Sequence, residues 1–326
     1  MKSLNEDLKT GQLKQIYLLY GEEAYLKKQY RDKLHQAIVP LEDTMNYAYY
    51  EGKGINVREV IDLAETLPFF SEHRLIILEN SGFFKTASPE LADYLKELPE
   101  TTAMIFVESE IDKRGKLYKA VKEKGRIVEL GRQDEGTLLR WIAGNVRREG
   151  KQITEQTIRS FLTKVGTDME NIQKELEKLF CYTLDKQEIL AEDVEEICTT
   201  QITNQVFDMV EAVAKKQQRK ALDYYYDLLA LKEPPMRILF LLTRQFRLLW
   251  EVKDMDRQGY PRKEIAAKAG LHPFVVGKYQ EQARAFSEPA LRKILEDSVD
   301  MEECIKTGRL SDTLGVELFI MKYSAK

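Results

Sequence analysis

The sequence is short of the residues that build metal and redox sites, with three cysteines and three histidines in 326 residues. Cys181, Cys198 and Cys304 stand far apart and show no CxxC spacing, so they read as reduced thiols of a cytoplasmic protein. His35, His73 and His272 are isolated from one another and from the cysteines, which argues against a metal site. No apolar run approaches the ~20 residues of a membrane helix, so no membrane partner is expected. The stretch from Met1 to Gln15 is polar and charged, unlike a signal peptide. An excess of positive charge is missing too: 50 basic against 54 acidic residues leave a net charge of -4. That excludes a globally basic nucleic-acid binder and leaves only local basic patches open.

A phosphate-binding loop is absent where the architecture would hold one. Ile16 to Tyr20 reads as a strand, Gly21-Glu22-Glu23 as a turn, and Ala24 to Val39 as a helix. The chemistry of such a loop needs glycines for a backbone cradle, a lysine for the phosphates and a hydroxyl for magnesium. Here two glutamates follow Gly21 and would repel phosphate, and Leu26-Lys27 stands where Gly-Lys would be. Glu79, at the end of the run Leu75 to Leu78, resembles the acid of a nucleotide-binding strand only superficially.

What is present is a 43% hydrophobic chain, long enough for more than one domain. Apolar runs at Ile16 to Tyr20, Tyr47 to Glu51, Leu75 to Leu78, Ala103 to Glu108 and Arg126 to Leu130 alternate with amphipathic helices. That alternation predicts an α/β domain with a parallel sheet. After Gly131 the strands stop, and helical periodicity takes over. Asp168 is placed to cap a helix carrying Ile172, Leu176 and Leu179. The polar stretch Cys198 to Asn204 reads as a linker. Val206 to Leu231 reads as one long helix ended by Pro234-Pro235, and Met236 to Met255 as the next. That second helix carries Arg237, Arg244 and Arg247 opposite its apolar face. A solvated face is the plain reading, with Glu251 placed to pair with Arg247; contact with DNA or a partner subunit is the alternative. His272, just before Pro273, reads as a capping or packing residue.

One stretch organises the first domain. Val57, Val60, Ile61, Ala64 and Leu67 make a helical apolar face that Pro68 ends. Phe69 and Phe70 then share a turn before the strand at Leu75. Either the pair is core, or it is a hydrophobic prong left outside for a partner.

Several short stretches, taken together and in order, carry a resemblance. They are Tyr17-Leu18-Leu19-Tyr20-Gly21-Glu22-Glu23, Leu67-Pro68-Phe69-Phe70-Ser71 before Arg74-Leu75, and Asp112-Lys113-Arg114 with Lys116-Leu117-Tyr118-Lys119. Gly166-Thr167-Asp168, Glu175-Leu176-Glu177-Lys178-Leu179, Val206-Phe207-Asp208, His272-Pro273-Phe274 and Ile305-Lys306-Thr307-Gly308 follow. Over essentially the whole chain this resembles the delta subunit of the bacterial DNA polymerase III clamp loader. The resemblance implies an AAA+-like parallel-sheet domain over 1–131, a small helical lid over 132–204 and a helical collar over 205–326. It implies a subunit without a cofactor or catalytic residue that binds the ring-shaped beta sliding clamp and opens one of its interfaces. The clamp-binding element would be Phe69 and Phe70, shaped by Leu67, Pro68 and Ser71, with His73 and Arg74 as candidates for a polar rim. The family's pair is often Leu-Phe, so Phe-Phe is a departure. The implied partners are the beta sliding clamp, the tau/gamma ATPase subunits, the delta-prime subunit and primer-template DNA. Two rivals stand beside this reading: an active AAA+ ATPase, which needs the missing loop, and a DNA-binding regulator using the arginine face, which the net charge disfavours.

Overall fold

Continuous apolar runs become strands buried on both faces, and the computed structural model, which describes residues 2–86 and 88–325, shows this for the central ones. The strands are β1 (Ile16–Tyr20), β2 (Tyr47–Glu51), β3 (Arg74–Glu79), β4 (Thr102–Glu108) and β5 (Arg126–Glu129). They form one five-stranded parallel sheet in the order β2-β3-β4-β1-β5. The register pairs Leu18 with Phe106 and Leu75 with both Tyr47 and Ala103. Every residue of β1 and β4 is buried, whereas β2, at an edge, is partly exposed.

The helices of this part are α1 (Lys2–Thr10), α2 (Ala24–Ile38), α3 (Val57–Glu65), α4 (Pro89–Tyr94) and α5 (Lys116–Lys124). Val60 and Ala64 of α3 pack with Ile16, Leu18, Ile76, Leu78, Met104 and Phe106 in one core. The helix at Lys2–Thr10 was not foreseen from the sequence. Asp7 ties it down, taking both nitrogens of the Arg126 fork at 2.7 Å and the Tyr17 hydroxyl at 3.1 Å. Burial pushes the Tyr17 hydroxyl up to about 12. Helix α5 starts at Lys116, after Gly115 at its N-cap.

The chain divides into two units, Met1–Gln133 and Asp134–Lys326. The second begins with α6 (Glu135–Arg148), α7 (Glu155–Val165), α8 (Met169–Tyr182) and α9 (Ala191–Ile197). Asp134, Thr154 and Asp168 each accept a backbone N–H from the first turn, as N-caps do. Strands do not stop altogether after Gly131: β6 (Gln152–Ile153) and β7 (Glu188–Ile189) pair in parallel. They are two residues long, too short to leave a hydrophobic signature.

The same unit continues as α10 (Ile202–Ala214), α11 (Gln218–Ala230), α12 (Pro235–Arg257), α13 (Arg262–Ala269), α14 (Pro273–Arg284), α15 (Glu288–Lys306) and α16 (Asp312–Ser324). Met209, Tyr225, Leu242, Phe246, Leu291 and Phe319 belong to one buried cluster. The single helix expected over Val206 to Leu231 is two helices. Lys216 sits at a φ of 55°, and the carbonyls of Val213 and Ala212 accept the N–H groups of Lys216 and Gln217. The stretch expected as a linker is ordered: Gln201 N–H donates to the Lys164 carbonyl, and Asn204 Nδ2 reaches the carbonyls of Thr163 and Lys164. His272 is a cap, its Nδ1 accepting Phe274 N–H at 3.2 Å.

Candidate partner-binding prong

Helix α3 ends where the sequence says it must. Asn56 caps its start by accepting Arg58 N–H. Thr66 is already extended, and Pro68 allows no further helical turn. The apolar face does not run on through Leu67, as expected. It stops at Ala64, and Leu67 swings into solvent with 76% of its surface exposed. Phe69 and Phe70 follow at 58% and 95% exposed. Their rings lie edge to face with centroids 4.5 Å apart, so each shields part of the other and neither enters the core. Of the two alternatives for the pair, the structure takes the exposed one. Pro68 and Ser71 are partly buried, and Glu72 and His73 are exposed. Phe70 has a φ of 50°, uncommon for a bulky residue.

The loop is held from below by two side chains. Arg74, expected on a rim, is 6% exposed and lies beneath the loop. Its fork donates to the carbonyls of Thr66 at 3.1 Å, Leu67 at 3.2 Å and Met45 at 3.3 Å. The rim assignment of Arg74 is thereby corrected: a guanidinium starting an inner strand has to find acceptors under the loop. Asn46, which sequence reasoning missed, is 1% exposed and grips Phe69. Phe69 N–H donates to Asn46 Oδ1 at 2.6 Å, and Asn46 Nδ2 donates to the Phe69 carbonyl at 2.8 Å. Asp43 orients that amide, accepting Asn46 Nδ2 at 2.7 Å, and hydrogen bonds, led by the one from the Asn46 amide, hold its carboxyl below the usual range. Asp43 Oδ1 accepts the N–H groups of Met45 and Asn46, the local turn bond that aspartate favours; a partner 23 residues downstream leaves no local signal.

At the carboxyl edge of the sheet, where α/β folds place ligands, several charged side chains bond to the chain's own groups. A Cβ at Gly21 (φ 126°) would lie 2.5 Å from the Leu130 carbonyl oxygen, so close backbone approach alone accounts for that glycine. Lys27 Nζ is buried and donates to the Glu108 carbonyl at 3.2 Å and to Ser109 Oγ at 3.3 Å. Burial lowers the Lys27 ammonium's pKa, against the pull of Glu79, Glu108 and Glu23. Burial also raises the Glu108 carboxyl, although Ser81 Oγ donates to it at 2.5 Å. Glu79 accepts Arg31 at 2.5 Å and the Tyr49 hydroxyl at 3.1 Å. Among the described residues no group of three or more His, Cys, Asp or Glu is placed to hold a metal ion.

On α12, Arg237, Arg244 and Arg247 are exposed on one face with Phe240. Arg237 pairs with Glu233 at 2.9 Å and Arg247 with Glu251 at 3.6 Å. Among the described residues Arg244 has no ion pair. No described helix is long and apolar enough to cross a membrane.

Both family models that match the chain describe the same family. Residues 17–131 match the family model described as DNA polymerase III, delta subunit, and residues 203–323 match that of the DNA polymerase III delta subunit, C-terminal domain. The chain is 28% identical to the DNA polymerase III subunit delta of Bacillus subtilis, over 97% of this chain and 95% of that one. It is 21% identical to a probable DNA polymerase III subunit delta of Aquifex aeolicus, over 86% and 83% of the two chains. A solved Bacillus subtilis DNA clamp loader delta protein superposes with a TM-score of 0.79 at 28% identity, over 99% of each chain. Two domain models in their proper order, and one fold matched end to end, make this chain a member of the DNA polymerase III delta-subunit family.

Proposed function

We propose that this chain is the clamp-loader subunit that docks on the beta sliding clamp through Leu67, Phe69 and Phe70 and opens one clamp interface without hydrolysing ATP itself. The observation that carries this reading is Phe70, 95% exposed at the tip of an ordered loop in a chain of the delta family. Burying two phenylalanines in a partner's pocket is worth roughly 3–6 kcal/mol before ordering costs, enough for a hot spot. Pro68 and Ser71 shape the loop, and His73 is the remaining rim candidate. Opening a ring needs no covalent chemistry. A ligand that fits the relaxed, open clamp subunit better than the closed one shifts that equilibrium by its differential affinity.

ATP then enters through tau/gamma subunits, with delta-prime completing the assembly. The internal hydrogen bonds of Lys27, Glu79 and Glu108 at this edge support that division of labour. On this reading 1–131 is an AAA+-like domain, 132–204 a lid and 205–326 the collar, working in the cytoplasm. The Arg237, Arg244 and Arg247 face is a candidate contact for primer-template DNA or a neighbouring subunit. The test is release of beta clamps loaded on nicked circular DNA by the purified chain without nucleotide. The wild type is expected to speed release severalfold and Phe69→Ala/Phe70→Ala to leave it at the spontaneous rate. Equal rates with and without the wild-type chain would sink the proposal.

A further inference from the structure

Three large apolar side chains on a short loop gain more by folding back onto the protein than by standing in water. Something has to hold Leu67, Phe69 and Phe70 out. Resting on the docking role proposed above, we infer that Asn46 and Arg74 are positioning residues of the prong, keeping it in binding geometry before the clamp arrives.

Asn46 acts as a strand would. Its amide takes both backbone hydrogen-bonding groups of Phe69, at 2.6 and 2.8 Å. It is itself fixed twice: its Nδ2 donates to Asp43, and its backbone carbonyl accepts Leu75 N–H at 2.8 Å, in line with the β2–β3 register. Arg74 supplies the second hold. Its charge also favours the ionised Asp43, but its fork donates to the carbonyls of Thr66, Leu67 and Met45. Four hydrogen bonds thus bracket residues 66–69 from two sides, and a fifth ties Arg74 to Met45, next to Asn46. What they leave over is Phe70, with its positive φ and its ring in water. A left-handed phenylalanine persists only where its surroundings over-determine it. A loop already ordered also loses less entropy on docking, so its contacts go further into affinity.

The experiment measures equilibrium binding of the full chain to purified bacterial beta sliding clamp, together with amide hydrogen exchange at Phe69. The variants are Asn46→Ala, Arg74→Lys and Phe69→Ala/Phe70→Ala, with each of the first two also built into the third. Asn46→Ala and Arg74→Lys are each expected to weaken binding about tenfold when the phenylalanines are present, and by less than about twofold when they are gone, because a residue acting through the prong has nothing left to position. The Phe69 amide is expected to exchange at least about tenfold faster in Asn46→Ala. Unchanged affinity in folded Asn46→Ala and Arg74→Lys overturns the inference. So does an equal loss in both backgrounds, which marks a general folding role. If Asn46→Ala does not fold, exchange in the unsubstituted chain decides: a Phe69 amide as fast as an unprotected one overturns the inference, and a slow one supports it. If Phe69→Ala/Phe70→Ala binds like wild type, the docking reading itself fails and this inference falls with it, a result distinct from failure of the positioning role alone.

Discussion

Phe69 and Phe70 could be read from the sequence in two ways, as core or as prong, because a pair of aromatics beside a proline is compatible with either. Position 70 is settled by backbone geometry that no pattern announces. It combines a positive φ with a ring left 95% exposed, outside the cluster that holds Ala64 and Ile76. Glycine adopts that φ without steric cost. Phe70→Gly is therefore expected to leave thermal stability within about 1 kcal/mol of wild type, the relief of strain offsetting glycine's entropy. The same variant should bind the clamp more weakly. Thermal melting and equilibrium binding on one preparation check both; a clear loss of stability with unchanged binding would show Phe70 to be a structural residue. Arg74 was read from the sequence as a rim candidate just before the apolar run at Leu75, and it is the first residue of β3. That it faces three carbonyls was not legible, because those acceptors come from two separate segments of chain.

Elements were legible in proportion to how strongly their periodicity and breakers mark them. The five strands of the sheet lie where the sequence puts them, and the inner ones, β1, β3 and β4, are marked most clearly because burial on both faces demands apolar runs. The ends of α10 and α11 show the opposite case. Each stops in a left-handed residue with paired bonds back to the last turn, a termination usually marked by glycine. Here the residues are Lys216 and Lys232, at φ of 55° and 63°. With lysine in place of glycine at the first of these, two helices read as one; at the second, Pro234-Pro235 gave the end away. Lys232 N–H donates to Leu229 and Glu233 N–H to Leu228, so the backbone is already in the geometry that suits glycine. Lys232→Gly is expected to raise stability by about 0.5–1 kcal/mol, measured by urea unfolding with an unchanged m-value. A loss of stability would mean that the lysine side chain supports the turn.

At the scale of the whole molecule, fold class came from alternation of elements, and family from the order of short stretches along the chain. Two family models and an end-to-end structural match agree with both. At the carboxyl edge of the sheet Lys27 donates to the Glu108 carbonyl and Glu79 accepts from Arg31. What no whole-chain pattern contained is the support of the prong, which joins residues 43–46 to residues 66–74 across the sheet edge. Docking of the clamp on this supported loop is the proposal. It is tested most directly by equilibrium binding of the purified chain to the beta sliding clamp, wild type against Phe69→Ala/Phe70→Ala, with folding followed by circular dichroism. The predicted result is an intact fold and a loss of at least about 30-fold in affinity, or ~2 kcal/mol. A folded variant that binds the clamp as tightly as wild type would contradict it.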